Sequence, residues 1–478
     1  MTDALAPPAS RDAGALPPAP AGPPRPPSNP LVTGPILPTL LRLTLPNLLA
    51  MLVTALVAIC ETAYVGLLGT AELAAIALVF PMVMLMQMLS SGAMGGGVSS
   101  AVSRALGAGD VPRAAALAVH AVSIGLLAGV FFSLLFTLFG DGIFRLLGGR
   151  GPVLEKALTY AHVALSAAAL IWLVNTLASV VRGTGNMQVP SFALLAASLL
   201  QIAVGGAAGL GFGPIPRFGL AGVAFGLVFG FGCAAVFLLW FLMSGRARIT
   251  LRFAGVALNR EMFLDILRVG AVAALSPLQS VLTVLIVTRL VSAYGTEALA
   301  GYGIGARLEF LLVPIAFAVG VATVPMVGMA IGARDVARAR AVAWTGGIVS
   351  AAALGVIGVL VGLFPGLWAA IFTDAPDVRA VADVYLRFAG PTFGLFGFGL
   401  CLYFASQGAG KVLQPVLAGT LRLLVVILGG WLLTASAAPL WGLFALVAAS
   451  LALYGAATGL GIYVTPWGPP SAAKADRA

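Results

Sequence analysis

The feature that most constrains the fold of this chain is a succession of twelve apolar segments between residues 37 and 464. A helix needs about 20 apolar residues to cross a hydrocarbon core about 30 Å thick, and each segment reaches that length. The sequence therefore predicts an all-α integral membrane protein with twelve transmembrane helices. The predicted spans are 37–66, 73–103, 114–140, 158–181, 189–210, 219–243, 263–293, 298–330, 341–370, 381–405, 413–435 and 441–464.

An internal repeat organises these spans. Three Gly-bearing loops recur in the same order and at a nearly constant separation: 69–74 at 295–300, 107–114 at 332–339, and 183–190 at 408–415. Six spans separate equivalent loops, and six is even, so the two halves keep the same orientation in the membrane. The sequence therefore predicts two six-helix lobes related by a parallel pseudo-two-fold repeat, with alternating access by rocking of the lobes.

The predicted boundaries follow from composition. A Pro- and Ala-rich stretch with few large apolar side chains precedes the spans and is typical of a disordered tail. The Arg-rich segment between the sixth and seventh spans is expected to be the inter-lobe linker, with a short amphipathic helix on the membrane surface. The predicted parts are a tail at 1–35, an N-lobe at 36–244 with helices 1–6, a linker at 245–262, a C-lobe at 263–465 with helices 7–12, and a second tail at 466–478.

Charge predicts the orientation and the partners. Lys and Arg gather in alternate gaps, and the positive-inside rule then places both termini, and both tails, in the cytoplasm of a multi-pass protein of the cell (inner or plasma) membrane. The chain has a net charge of +10, 60% hydrophobic residues and 9% charged residues. A nucleic-acid binder gathers its basic residues into a patch, and here they are spread between spans. We expect membrane lipids and small organic molecules as partners, no nucleic acid, and a monomer.

Two acids within the spans are the candidate functional residues. Glu61 lies in the first apolar segment and Glu309 in the eighth. A carboxyl group at membrane depth costs about 2.5–3.5 kcal/mol on insertion scales, so such an acid indicates a functional site. The repeat pairs Glu61 with Val287 and Glu309 with Val83. The acids are thus specific to one lobe each, whereas the shared Gly and Asp loops are typical of turn and cap chemistry.

Structural alternatives stay open for both acids. Glu61 could be a satisfied structural residue that is hydrogen-bonded to a neighbouring helix. Glu309 could pair with Arg307 or Arg289. Arg422, within the eleventh span, has no partner that the sequence can identify.

Several motifs together resemble the multidrug and toxic compound extrusion (MATE) family, in its prokaryotic form. They are Glu61–Gly66 followed by the 69–75 loop, the 107–114 loop, the return at 295–300, and the triplet 307–309. The resemblance covers about 36 to 465. It implies export of organic, often cationic and amphipathic, compounds in exchange for protons or sodium ions, without a further cofactor or bound metal. It also implies an acid in the first helix, which is usually Asp and is Glu61 here, and an Arg-x-Glu motif in the eighth helix, formed here by Arg307 and Glu309.

The chain departs from the family pattern in the fifth helix. Many prokaryotic members carry an Asn and an Asp there, and the Asp joins the first-helix acid in a cation site. Gln201 stands where that Asn lies, and Gly205 replaces the Asp. A single carboxyl can bind one proton, whereas a sodium site needs several oxygen ligands. We therefore expect proton coupling, with sodium as the alternative.

The expected mechanism is competition at Glu61. Burial in a medium of low dielectric favours the neutral form of a carboxyl group, so a proton and a cationic substrate can compete for the same negative charge. Coupling requires the proton to bind the two lobe arrangements with different affinity. The residues that we expect near the two acids, as polar neighbours, are Tyr64, Asn175, Gln201 and Arg307.

Two other functions stay open at this point. A flippase for lipids or lipid-linked oligosaccharides would also use two related lobes, and Arg289, Arg307 and Arg422 could hold its pyrophosphate. A membrane-embedded enzyme, for instance one that resembles a prenyl transferase, would need clustered acids for Mg²⁺, and no span carries such a cluster. The three cysteines lie singly in apolar segments, which does not indicate a metal site. We therefore expect a transporter rather than an enzyme.

Overall fold

The computed structural model describes residues 30–212 and 214–468, and the regular secondary structure in these two ranges is helical throughout. Eleven helices are long and apolar enough to cross a membrane, and a bent pair completes a twelfth span. This confirms the predicted all-α membrane fold. The spans are α1 (Ile36–Gly66), α2 (Thr70–Gly107), α3 (Val111–Leu146), α4 (Gly151–Ala164 with Ala168–Gly183), α5 (Gln188–Leu210), α6 (Leu220–Met243), α7 (Arg260–Ser292), α8 (Thr296–Gly332), α9 (Val336–Leu363), α10 (Pro376–Ala409), α11 (Leu413–Ala435) and α12 (Leu440–Val464).

The interruptions of the helices follow the repeat. The two parts of α4 meet at an angle of 48° after Ala164. Helix α10 is interrupted at the equivalent position of the other lobe, after Ala389, by the 3₁₀ turn Gly390–Thr392. A further irregularity, the π-helical segment Met88–Met94, lies in the middle of α2. The lobes therefore share the break of α4 and α10, whereas the π-helical segment of α2 has no counterpart in the continuous α8.

Each lobe has its own apolar core. The N-lobe core includes the buried Leu117 and Leu177, and the C-lobe core includes the buried Phe393 and Phe444. Between the lobes, α2 packs on α7, α8 and α10, and α1 packs on α8. Because the repeat relates α1 to α7 and α2 to α8, these contacts surround the pseudo-two-fold axis, with the α2–α8 pair next to it.

A close contact seals the lobes together where α2 and α8 end, which we call the linker end. Gly107 at the end of α2 and Gly332 at the end of α8 are repeat equivalents. A Cβ atom on Gly107 would collide with the backbone of Met329, and one on Gly332 with the backbone of Arg104. An ion pair between Arg104 and Asp265 on α7 adds to this seal, with 2.6 Å between Nη2 and Oδ1.

One pair of shared loops, 107–114 and 332–339, caps helices, as its composition indicates. The Asp110 carboxylate accepts a hydrogen bond from the backbone N–H of Arg113 over 2.9 Å. Its equivalent Asp335 accepts one from the N–H of Arg338 over 2.8 Å. Each acid thus satisfies one of the free N–H groups of the first turn of α3 or α9. The prediction that these loops serve the fold is confirmed.

The same loops provide a stability prediction. Gly109 has φ +80°, and the equivalent residue of the other lobe is Arg334 with φ 62°. A side chain in this left-handed region costs about 1–2 kcal/mol, which glycine avoids. We expect Arg334→Gly to raise the free energy of unfolding by about 0.5–1 kcal/mol and Gly109→Ala to lower it by about 1 kcal/mol.

Thermal unfolding of the purified protein in detergent measures both changes. A Cβ on Gly109 meets nothing within 4 Å, so the second variant changes the backbone preference alone. Shifts of the midpoint in the same direction for both variants would contradict the prediction.

Two boundaries differ from the sequence-based expectation. Residues 30–35, which fall in the predicted tail, contain the short helix Pro30–Thr33, and the Arg338 guanidinium donates to the Gly34 carbonyl over 2.6 Å. The linker carries no amphipathic helix: residues 245–259 are non-helical and α7 begins at Arg260. The rest of the predicted tails, residues 1–29 and 469–478, lies outside the described residues.

Candidate functional site

Glu61 lies near the end of α1 and is buried, with 9% of its surface exposed. Gln201 on α5 donates from Nε2 to Glu61 Oε2 over 2.7 Å. Tyr160 on the first part of α4 donates from its hydroxyl to Glu61 Oε1 over 3.2 Å. Both carboxylate oxygens therefore accept hydrogen bonds from neutral donors. Among the residues described, no Lys, Arg or His forms an ion pair with Glu61.

Tyr64 and Gly205 complete this surrounding. The Tyr64 hydroxyl is buried without a hydrogen-bond partner, and a Cβ on Gly205 would lie 3.1 Å from it. Gly205 also packs closely on Gly226 of α6, where a Cβ on either glycine would meet the other helix. The position that carries Asp in many family members is thus a helix-packing position here, and it contributes no oxygen to the site.

The structure brings together two of the four predicted polar neighbours at Glu61, namely Gln201 by a hydrogen bond and Tyr64 by position. Asn175 is not one of them, because it lies beyond the bend of α4 and its Nδ2 donates to Gln87 Oε1 (2.6 Å) and Ser90 Oγ (2.8 Å) on α2. Arg307 is also elsewhere. It is exposed on α8, with its guanidinium 5.3 Å from the centre of the Phe372 ring.

Tyr160 is a neighbour of Glu61 that was not predicted from the sequence. A signal for it existed, because the separation of the repeated loops places Tyr160 on Tyr385, so both lobes keep a tyrosine here. Polar residues that recur within otherwise apolar spans are candidates for partners of buried charges. Applied to the repeat, that criterion selects this pair.

Glu309 on α8 has a different surrounding. Tyr385 on α10 donates from its hydroxyl to Glu309 Oε2 over 3.2 Å. Arg422 on α11 lies with Nη2 3.6 Å from Glu309 Oε1, and the two side chains are 10% and 17% exposed. The alternatives Arg307 and Arg289 are therefore wrong as partners, because both are exposed on the outer side of their helices. Arg422, for which the sequence offered no partner, is the counter-charge.

The two lobes thus hold carboxylates in related but unequal ways. Equivalent tyrosines, Tyr160 and Tyr385, donate to an acid that comes from α1 in one lobe and from α8 in the other. The charge of Glu309 is compensated by Arg422, whereas Glu61 has amide and hydroxyl donors only. Burial of a charge without a counter-charge is costly, so Glu61 is the group that gains most from binding a proton or a cation.

No group of three or more His, Cys, Asp and Glu side chains comes together within the described ranges to hold a metal ion.

A comparison with protein-family models gives one match, which occurs twice. The model described as MatE matches residues 46–205 and 273–432. The second match is displaced from the first by the same amount at both ends, and this displacement agrees with the separation of the repeated loops.

Curated proteins and solved structures agree with this match. The chain is 24% identical to a probable multidrug resistance protein of Bacillus subtilis over 72% of this chain and 74% of that one. It is also 24% identical to the multidrug export protein MepA of Staphylococcus aureus, over 74% and 78%. A solved MOP superfamily transporter from Pyrococcus furiosus shares the fold, with a TM-score of 0.83 and 23% identity over 91% of this chain and 97% of that one.

Proposed function

The chain belongs to the MatE family, whose curated relatives are transporters and not enzymes, and on that premise we propose that it exports amphipathic, often cationic, organic compounds across the plasma membrane by antiport with protons. The observation that carries the proposal is the buried Glu61, whose two oxygens meet only neutral donors. We include in the proposal the cytoplasmic placement of both termini, the monomeric state and the division into an N-lobe and a C-lobe, with the C-lobe beginning at α7.

Export would follow from competition for one charge. The ionised Glu61 attracts a cationic compound, and the neutral form does not, so uptake of a proton releases the compound. For this to move anything across the membrane, the two lobe arrangements must bind the proton with different affinity. Rocking of the lobes about the α2–α8 contact is the motion that the parallel repeat favours.

The composition of the site supports a proton over a sodium ion. Tyr160 and Gln201 already donate to both carboxylate oxygens, and Gly205 supplies no second acid. A sodium ion would have to displace these donors and would still meet only one negative charge. A proton needs one oxygen lone pair and leaves the other hydrogen bond in place.

The flippase alternative is not favoured by the positions of the three arginines that could bind pyrophosphate. Arg422 is engaged by Glu309, Arg307 lies over the Phe372 ring, and Arg289 donates to Ser292 on its own helix. They do not converge on one place, as bidentate recognition of a pyrophosphate requires.

Transport into vesicles tests the proposal. Purified protein is reconstituted, a fluorescent organic cation such as rhodamine 6G is supplied, and either a pH step or a sodium step of equal size is imposed. We expect the pH step alone to drive dye movement, and a protonophore to abolish it. Movement driven by the sodium step and unchanged by the protonophore would contradict proton coupling, and no movement with either step would contradict antiport.

Tyr160→Phe is expected to shift the pH dependence of transport. The hydroxyl of Tyr160 donates to the carboxylate and so stabilises its ionised form. Its removal favours the protonated form, so the midpoint of the pH–rate profile should rise by about one to two pH units, since a hydrogen bond to a charged group contributes about 1.5–3 kcal/mol. Initial rates in vesicles over a pH series measure this midpoint.

The repeat supplies a matched control. Tyr385→Phe removes the equivalent hydroxyl from the compensated Glu309 and should leave the midpoint unchanged. Equal shifts in both variants would contradict the assignment of coupling to Glu61.

A further inference from the structure

An open cavity of about 330 Å³ lies at the end of the N-lobe opposite to the linker end. Its walls come from the turn between α1 and α2, the first part of α4, and the loop between α5 and α6. All of its lining residues belong to the N-lobe, so it is separate from the contact between the lobes. Its volume falls within the range of about 300–1,000 Å³ that is typical of sites for small organic ligands. The mechanism above does not use it.

The polar part of the cavity wall is mainly cationic. Lys156 on α4 and Arg217 in the α5–α6 loop line it together with one acid, Glu72 on α2. Lys156 Nζ lies 3.3 Å from Glu72 Oε1. Arg217 is exposed and forms no ion pair within the two described ranges. The cavity thus carries two positive charges for one negative charge, and the Arg217 guanidinium is free to bind an anion.

The two cations are specific to the N-lobe. Arg217 lies in a loop that spans 211–219, whereas the corresponding loop between α11 and α12 spans only 436–439. The repeat pairs Lys156 with Val381, although the acid recurs in the C-lobe as Glu297. A requirement of the shared fold would apply to both lobes. The cations therefore indicate a function of the N-lobe cavity itself.

Hydrogen bonds hold the loop against the end of α5. The Phe218 N–H donates to the Ala208 carbonyl over 2.9 Å, and the Gly219 N–H donates to the Gly209 carbonyl over 3.2 Å. Phe218 and Gly219 both line the cavity. The backbone of Arg217, which precedes them, is therefore fixed beside the cavity.

Apolar side chains are exposed on the segments that form the cavity. Phe218 lines it and is 57% exposed, and Phe212 and Ile215 of the same loop and Leu67 of the α1–α2 turn are exposed as well. Aromatic side chains at the ends of membrane spans lie at the level of the lipid head groups. Basic pockets at the ends of spans bind those head groups. A lipid suits this combination of cations and exposed apolar surface better than a soluble anion does.

We propose that this cavity binds the phosphate head group of a membrane phospholipid, with Arg217 and Lys156 as its ligands. The Arg217 guanidinium presents parallel N–H groups that match two phosphate oxygens, and the Lys156 ammonium adds a point charge. The acyl chains of the lipid cover the exposed apolar side chains beside the cavity, which a free phosphate ion cannot do. With both termini in the cytoplasm, as proposed above, this lipid belongs to the outer leaflet.

The lipid joins the elements that carry the Glu61 site. Glu61 lies on α1, and its hydrogen-bond donors Tyr160 and Gln201 lie on the first part of α4 and on α5. The cavity is formed by the turn after α1, by that part of α4 and by the loop after α5. A bound head group thus connects the ends of these three helices. Its binding does not require ion coupling, so it stands independently of the proposed antiport.

Native mass spectrometry of the full-length protein in detergent tests the site, with dioleoyl phosphatidylglycerol as the probe. We expect the wild type to bind one copy of this lipid more tightly than any further copies. Arg217→Gln should weaken the first binding step by about tenfold or more, as the loss of a hydrogen bond to a charged group does. Lys156→Gln should weaken it by about threefold, because Lys156 is partly exposed and already shares its charge with Glu72.

Matched controls separate the head group from other causes. Arg150→Gln removes an exposed arginine at the same end of the N-lobe that does not line the cavity, and it should leave the affinity unchanged. Dioleoylglycerol has the same acyl chains without the phosphate and should not compete with the probe. Glu61→Gln should bind the lipid as the wild type does, so a failure of antiport and a failure of this site can be told apart.

Three results would overturn the proposal. The first is equal affinity of the wild type and Arg217→Gln for phosphatidylglycerol, or an equal loss in Arg150→Gln. The second is competition by dioleoylglycerol as effective as that by unlabelled phosphatidylglycerol, which would mean that the phosphate is not recognised. The third is complete displacement of the lipid by inorganic phosphate, which would mean that the cavity is a site for free anions.

Discussion

Glu61→Gln is expected to reduce dye transport driven by a pH step at least tenfold, towards the level of protein-free vesicles. Glutamine keeps the length of the side chain and can still accept from Tyr160, so the local packing is preserved. It cannot take up or release a proton. Coupling between two ligands, here the proton and the organic cation, typically changes the affinity for one of them by about 5- to 150-fold. The substitution abolishes proton binding at this position and so removes the coupling.

The control for this substitution is Glu155→Gln, which neutralises an exposed acid at the start of α4 and should retain full transport. Glu61→Asp should retain part of the activity, because Asp is the usual family residue but its carboxylate is one methylene shorter and lies further from Gln201. Transport by Glu61→Gln at the wild-type rate would exclude Glu61 from the mechanism. The other embedded acid would then have to be reconsidered.

Arg422→Gln is expected to destabilise the protein by about 3–5 kcal/mol, because it leaves the buried Glu309 carboxylate without its counter-charge. The double variant Glu309→Gln with Arg422→Gln should recover most of that stability, since replacement of both partners of a buried ion pair is often close to neutral. Thermal unfolding in detergent, with protein yield as a second readout, measures the cycle.

An exposed arginine provides the comparison. Arg289→Gln removes an exposed charge whose guanidinium donates to Ser292, and the effect on the free energy of unfolding should be within about 0.5 kcal/mol. If Arg422→Gln and the double variant lose stability to the same extent, the Glu309–Arg422 pair is not the interaction that matters. Transport by the double variant would further show that the C-lobe acid is structural rather than coupling.

Much of the fold follows from segment length and from the repeat. The spans can be recognised in the sequence because a chain that crosses the lipid must form a helix, which satisfies its backbone hydrogen bonds, and this helix needs about 20 apolar residues. The repeated loops then predict the division into two lobes. The interruptions of α4 after Ala164 and of α10 after Ala389 have the same separation along the chain as the loops. The family model matches the chain once in each lobe, as expected for a repeat of this kind.

The partners of the buried charges were harder to predict. A helix that is apolar on all sides has no polar stripe to show which face meets which neighbour. Arg422 could therefore be recognised as buried without any sign that it faces Glu309, and Asn175 was expected near Glu61 although the bend in α4 turns it towards Gln87. The Tyr160–Tyr385 equivalence was present in the sequence, but it acquires meaning only when both acids are placed beside it.

The linker illustrates a different limit. Its arginines suggested a helix lying on the membrane surface, but Gly245 has φ +75° and Gly255 has φ +80°, which a continuing helix does not accommodate. The chain instead crosses between the lobes without regular structure, and the Leu251 N–H bonds the Leu242 carbonyl at the end of α6. The composition of the linker thus predicted its positive charge correctly, but the predicted helix was wrong.

The meeting of Gly107 and Gly332 near the axis has a consequence for which way the protein faces at rest. A methyl group on either residue would press on main-chain atoms, which cannot rotate aside as a side chain does. Such a wedge penalises only the arrangement in which α2 and α8 touch, so the population moves to whichever arrangement holds them apart. These two hydrogens in place of methyl groups are thus what lets α2 and α8 meet and hold the molecule shut at the linker end.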